Sequence, residues 1–129
     1  MVNFTRKPRY DYADLLEIIR LLRSPEGCPW DKAQTHASIR RGLLEESYEA
    51  AEAIDLDDAA LLQEELGDVL FAAVKVGRFA GVDPETAIAS TCEKFIHRFR
   101  AVEDGAQGRP LETLTPEEMT ELWNRAKRF

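Results

Sequence analysis

The chain has 129 residues, 44% of them hydrophobic and 32% charged, with a formal net charge of −7. That is enough chain for one domain with its own core, and the acidic balance argues against gripping a nucleic-acid polymer through a basic surface. No run approaches the roughly 18 apolar residues that a membrane span requires, and the two cysteines, Cys28 and Cys92, in no metal-like spacing, suit a reducing cytoplasm without a disulfide framework.

Residues 1–10 are polar, lack the apolar core of a signal peptide and read as a flexible segment, leaving 11–129 as the domain. Asp11 can cap a first helix running to about Arg23, with Leu15, Ile18, Ile19 and Leu22 as its apolar stripe. Ser24-Pro25-Glu26-Gly27 ends it, and residues 28–36 follow as a compact loop. Trp30, rigid after Pro29, can stack on a base or plug the core; residue type alone favours the plug. His36 reads as a capping or hydrogen-bonding residue. His97 is distant in sequence, so a zinc site is not indicated. A second helix spans about 35–54, with Ile39, Leu43, Leu44, Tyr48, Ala51 and Ile54 as its expected buried face. Asp57 or Asp58 caps a third helix over about 58–80, which Gly81 stops. Asp83-Pro84-Glu85 opens a fourth, with Ala87, Ile88, Thr91, Phe95, Phe99 and Val102 as its stripe. Residues 104–114 read as a surface loop, and Thr115-Pro116-Glu117-Glu118 starts a short last helix. No stretch alternates with period two for long enough to be a strand. The expectation is an all-α, four-helix-bundle-like domain with two long antiparallel central helices.

The chemistry concentrates in two acidic clusters, Glu45-Glu46-Ser47-Tyr48-Glu49 and Glu65-Leu66-Gly67-Asp68. Positions three and four apart share a helix face, so Glu45, Glu46 and Glu49 crowd one stripe, and Glu65 and Asp68 another. A hairpin turning near residue 57 sets Glu49 level with Glu65 and Glu46 level with Asp68. Charge at helical spacing is ordinarily a solvated face. Here the acids have few basic partners four residues away, and the second cluster interrupts a strongly apolar run. Gly67 sits mid-helix at a cost of about 1 kcal/mol against Ala. Carboxylates crowded together repel unless a cation neutralises them, and an all-oxygen set suits Mg²⁺ or Mn²⁺. Lys94 and Arg98 share one helical face, and Lys127 lies four after Trp123. Such cations can hold phosphate, although basic residues near helix C-termini are also ordinary.

These runs resemble the MazG family of nucleoside triphosphate pyrophosphohydrolases. The family pattern E-E-x-x-E, spacer, E-x-x-D stands here as Glu45-Glu46-x-x-Glu49 and Glu65-x-x-Asp68, with 15 residues between. Cys-Pro-Trp-Asp-Lys-Ala-Gln-Thr-His at 28–36, Gly81-Val82-Asp83-Pro84-Glu85, Lys94-Phe95 with Arg98-Phe99, and the tail from Leu114 to Lys127 are similar to family runs as well. The resemblance implies a Mg²⁺-dependent, all-α enzyme that cuts between the α- and β-phosphates of nucleoside triphosphates, giving monophosphate and pyrophosphate. It implies metal ligands at Glu46, Glu49, Glu65 and Asp68, an acid at Glu45 that binds metal or orients water, and substrate-holding roles for Lys94, Arg98, Trp123 and Lys127. It also implies a homodimer or homotetramer. Cys92 and Ile96-His97 depart from residues common at those positions in relatives.

Two readings compete. A catalytically weak nucleotide-binding or assembly module is opposed by the presence of every acidic ligand position. A redox di-metal bundle wants Glu-x-x-His pairs, and none stands near these acids.

Overall fold

Asp11 opens α1 (Tyr12–Leu22) with a reciprocal cap: its Oδ1 accepts from the Asp14 amide at 3.0 Å, and Asp14 Oδ2 accepts from the Asp11 amide at 2.9 Å. The computed structural model describes residues 2–128, and among these every regular element is helical. After α1 the chain reverses at Gly27, whose amide donates to Ser24 O at 2.8 Å, while the next amide, Cys28 N–H, returns to Leu22 O at 2.8 Å. A Cβ at Gly27 would collide with the carbonyl oxygens of Leu21 and Leu22, so the reversal requires glycine. Within the expected loop, Pro29–Lys32 form a single helical turn, α2.

Two long helices follow. Thr35 caps α3 (His36–Asp55) through a reciprocal pair with Ser38. Asp58, rather than Asp57, caps α4 (Ala59–Ala80): its Oδ1 accepts from the Leu61 amide at 3.0 Å. Asp57 takes the left-handed conformation (φ 53°) that tightens the turn between the helices, and Gly81 (φ 71°) ends α4 as its C-cap. The helices pack along their length as an antiparallel hairpin, and α1 lies on α4. Leu16 and Ile19 bury against Val74, with Leu15 and Phe71 at the margin. Fully burying side chains of this kind is worth about 1.5–3 kcal/mol each.

The chain forms two compact units, residues 1–84 and 85–129. The second unit holds all but the first residue of α5 (Pro84–Gly105), a 3-10 turn at Leu111–Thr113, and α6 (Pro116–Ala126), which Thr115 caps through the Glu118 amide. Its buried side chains are Val102, Ala106 and Ala126. Gly105 lies so close to Leu122 that a side chain there would overlap it.

Four expectations are corrected. Trp30 is 83% exposed, so it does not plug the core. The expected buried face of the second helix is only partly buried: Leu44, Tyr48 and Ile54 stand exposed, Tyr48 at 74%, and the buried residue of α3 is Ala53. On α5, Val102 is buried, whereas Ile88 and Phe95 are exposed. Periodicity reports that a face is apolar, not which neighbour covers it. Part of the expected 104–114 loop is also ordered, since α5 runs on to Gly105.

Candidate metal centre

The α3–α4 hairpin places Glu46, Glu49 and Glu65 so that one carboxylate oxygen from each lies within 4.8 Å of the others. Glu49 faces Glu65 across the hairpin, so that a protonated Glu65 can donate to the Glu49 carboxylate, and the charges of Asp68 and Glu45 both act on Glu46. The register expected from a turn near residue 57 is therefore the one the hairpin adopts. Asp68 and Glu45 stand beside the converging group rather than in it.

The electrostatics record the crowding. Glu65 is pushed up to about 7, first by its hydrogen bond with Glu49, then by burial and by the charges of Glu49, Asp68 and Glu64. Glu46 is raised as well, by burial first and then by the charges of Glu49 and Asp68. Glu46 and Glu65 each keep one oxygen, Oε2, shielded from solvent with no hydrogen-bond partner. A shielded acceptor without a donor is rare in a folded protein and asks for an occupant. An all-oxygen, anionic donor set with free lone pairs fits a hard divalent ion such as Mg²⁺ or Mn²⁺. The converging group holds no histidine or cysteine, so nothing in the donor set favours zinc.

The acids belong to the first unit. The cations Lys94, Arg98 and Lys127, and Trp123, belong to the second. Lys94 and Arg98 sit one turn apart on α5, and Arg98 Nε is shielded without a partner. The Trp123 ring packs against Phe95 at 5.6 Å between centroids, and Phe95 stacks on Phe99 at 5.9 Å. In the first unit, His36 opens α3 and meets Phe79 edge-on at 5.1 Å.

Beside the acids lies a cavity that no sequence motif marks. It measures about 130 Å³ and opens between α3 and α4, with Glu46 and Asp68 at one end and Lys75 among its walls. Lys75 lies 3.3 Å from Oδ1 of Asp31, the one buried charged side chain among the described residues at 8% exposure. A lone lysine inside the apolar run of α4 was the available signal, as unusual there as the acids that drew attention. A larger concavity of about 560 Å³ is lined only by residues of α6 and Arg128. One helix face cannot enclose a ligand, so we give it no role.

Residues 34–102 match the family described as the MazG nucleotide pyrophosphohydrolase domain. The chain belongs to the MazG family. Over 91 residues it is 44% identical to the nucleoside triphosphate pyrophosphohydrolase/pyrophosphatase MazG of Thermotoga maritima, covering 67% of this chain and 36% of that protein. Over 88 residues it is 46% identical to the nucleoside triphosphate pyrophosphohydrolase of Escherichia coli K12, covering 62% of this chain and 34% of that protein. This MazG-family chain thus spans about a third of the length of those two relatives. A solved structure, a mazG-related protein from Thermotoga maritima, superimposes with a TM-score of 0.67 at 34% identity, over 91% of this chain and 99% of that one. The matched residues contain both acidic clusters, and the all-helical architecture agrees with the fold expected from the sequence.

Proposed function

We propose that the chain hydrolyses nucleoside triphosphates between the α- and β-phosphates, releasing nucleoside monophosphate and pyrophosphate, in a cell's reducing cytoplasm. The observation that carries this reading is the convergence of Glu46, Glu49 and Glu65 within 4.8 Å with two shielded, unpartnered oxygens. These three, with Asp68 beside them, would hold Mg²⁺, or Mn²⁺ in its place. Bound there, the ion would neutralise charge on the phosphates and lower the pKa of a water. Glu45 is exposed next to this group and is our candidate to accept the proton of the attacking water. To Lys94, Arg98 and Lys127 we assign the charge that holds the phosphates and steadies departing pyrophosphate, and to Trp123 a substrate contact. Trp30, exposed on its one-turn helix, is free to stack on substrate. The names of the relatives support the reaction class.

The test is product identity. The pure protein is incubated with Mg²⁺ and a panel of canonical and modified triphosphates while phosphorus NMR follows the products. Monophosphate with pyrophosphate is the expected result, and rates across the panel show whether non-canonical nucleotides are preferred. Diphosphate with orthophosphate would break the proposed bond choice. No turnover with Mg²⁺ or Mn²⁺ would leave a nucleotide-binding or assembly module instead.

A homo-oligomer fits the apolar faces of the central helices. Leu44, Tyr48 and Ile54 on α3 and Leu66 and Leu70 on α4 are all exposed. Leu44 with Tyr48 and Leu66 with Leu70 each stand one turn apart, and exposed apolar side chains at that spacing support an interaction face; a second copy of the chain is our reading. Light scattering coupled to size exclusion decides it, a monomer at micromolar concentration being the result against.

A further inference from the structure

The cavity beside the acids has contents that the proposed reaction does not yet use. Ile39, Leu43 and Phe71 give it apolar walls, and Gln34, Ser38 and Lys75 give it polar ones. Glu46 and Asp68 line one end, so whatever fills the cavity is continuous with a ligand held at the carboxylates. Its volume of about 130 Å³ is well below the roughly 300–1,000 Å³ of pockets that swallow a whole drug-sized ligand. It can take one flat ring system, not a nucleotide.

The polar wall is partly committed already, and what remains free decides its chemistry. Gln34 Nε2 donates to Trp30 O at 3.0 Å, and its Oε1 accepts from Ser38 Oγ at 2.7 Å. These bonds fix the amide orientation and use the Ser38 proton, and they leave the second amide hydrogen of Gln34 free. Lys75, a half-buried ammonium, is ion-paired with Asp31 at 3.3 Å without a hydrogen bond to that oxygen, so its donors remain open to the cavity. An ammonium has no acceptor to offer. Away from the carboxylate end the free groups are therefore weighted towards donors, and Ile39, Leu43 and Phe71 supply apolar walls beside them. A phosphate is the poorer occupant, because the lysine already has its counter-ion and two carboxylates lie at the cavity's end.

We propose that this cavity is the base subsite of the proposed triphosphate site, and that it selects bases with an oxo group, rather than an amine, at C4 of a pyrimidine or C6 of a purine. Those are uracil, thymine and the 6-oxopurines. Adenine offers an exocyclic amine where these offer an acceptor, and would face Lys75 donor to donor. The assignment rests on the proposed pyrophosphohydrolase reading.

The experiment compares kcat/KM for UTP, dTTP, GTP and ITP with that for ATP, in the wild type and two variants. Gly42 lines the cavity, and a Cβ there meets nothing within 4 Å, so Gly42→Leu adds a bulky apolar side chain at the cavity wall without a backbone clash at its Cβ. Gln34→Glu keeps the side-chain size and removes both amide hydrogens, the free one and the one given to Trp30 O. The wild type is expected to favour the oxo bases. Gln34→Glu is expected to cut that preference about tenfold or more, the scale of losing a hydrogen-bonded discrimination. Gly42→Leu is expected to raise KM for every triphosphate about tenfold while Mn²⁺ binding and the far-ultraviolet circular dichroism stay unchanged. Turnover with no base preference, or a preference that survives both variants, overturns the subsite alone. A wild type that turns over no triphosphate overturns the reaction and the subsite with it. If Gly42→Leu loses its Mn²⁺ binding, Gln34→Glu decides by itself.

Discussion

Replacing Glu49 by Gln should make the metal-free protein more stable while it stops turnover. In the folded chain an oxygen of Glu49 lies within 4.8 Å of one from Glu46 and one from Glu65. Two unit charges at that separation repel by about 1 kcal/mol at the dielectric of water, and the partial exposure of these groups makes that value the fitting one. Glu46 and Glu65 both respond by holding their protons to higher pH, Glu65 to about 7. Between the ordinary carboxylate range and those raised values, the folded state binds more protons than the unfolded one. Stability contributed by the cluster therefore falls as pH rises through that window. Gln keeps the volume and removes one charge. The gain should be absent at pH 4, where the neighbours are protonated, and should reach about 1 kcal/mol at pH 8 from the Glu46 pair, or roughly 3–6 °C in Tm. Metal reverses the order. At a hundredfold excess over Kd, Mg²⁺ should stabilise the wild type by about 2.7 kcal/mol. The variant should lose most of that shift, with activity reduced beyond the ~10–100-fold typical of disturbing a ligand's supporting partner. Scanning calorimetry at pH 4 and 8, with and without Mg²⁺, reads both signs. A variant that melts below the wild type without metal at pH 8, or that keeps the wild-type Mg²⁺ shift, would refute the cluster as a strained, cation-seeking site.

Four further outcomes follow from particular residues. Glu65 holds its proton to about 7, so Mg²⁺ affinity should rise as pH climbs from 6 to 8, with proton release on binding below that value; titration calorimetry in two buffers of different ionisation enthalpy measures it, and a flat affinity counts against Glu65 as a ligand. Gly27→Ala should cost more than the ~1–3 kcal/mol of ordinary overpacking, because its Cβ would meet backbone oxygens that cannot turn aside; urea denaturation is the assay. Asp58→Ala should cost about 1 kcal/mol through loss of the Leu61 cap, with Asp58→Ser restoring most of it. Trp30→Ala should change stability by less than about 0.5 kcal/mol, since the ring is 83% exposed; a loss of several kcal/mol would return Trp30 to the core.

Helix boundaries were legible because their signals are local. Asp11, Thr35, Asp58 and Thr115 each cap the helix that their side chain can reach, within three residues along the chain. The left-handed turn at Gly81 depends only on that residue lacking a Cβ. The pairing of Glu49 with Glu65 was legible too, since a three-residue link between two long helices leaves little choice of register. Burial was not. Leu44, Tyr48 and Ile54 were expected on a buried stripe just as Ile19 was, yet those three stand exposed, while Leu16, outside the expected stripe, is buried beside Ile19.

The sequence by itself determined the all-helical class, the capped segments, the family and the acids that meet across the hairpin, because each rests on contacts near in the chain or on one short turn. Only the tertiary structure decided that Trp30 faces solvent, that Lys75 lies beside Asp31, and that a cavity opens next to Glu46 and Asp68. Those depend on which helix faces touch across gaps of tens of residues. A side chain's type and spacing set what it can bind, and the packed neighbours set what it meets.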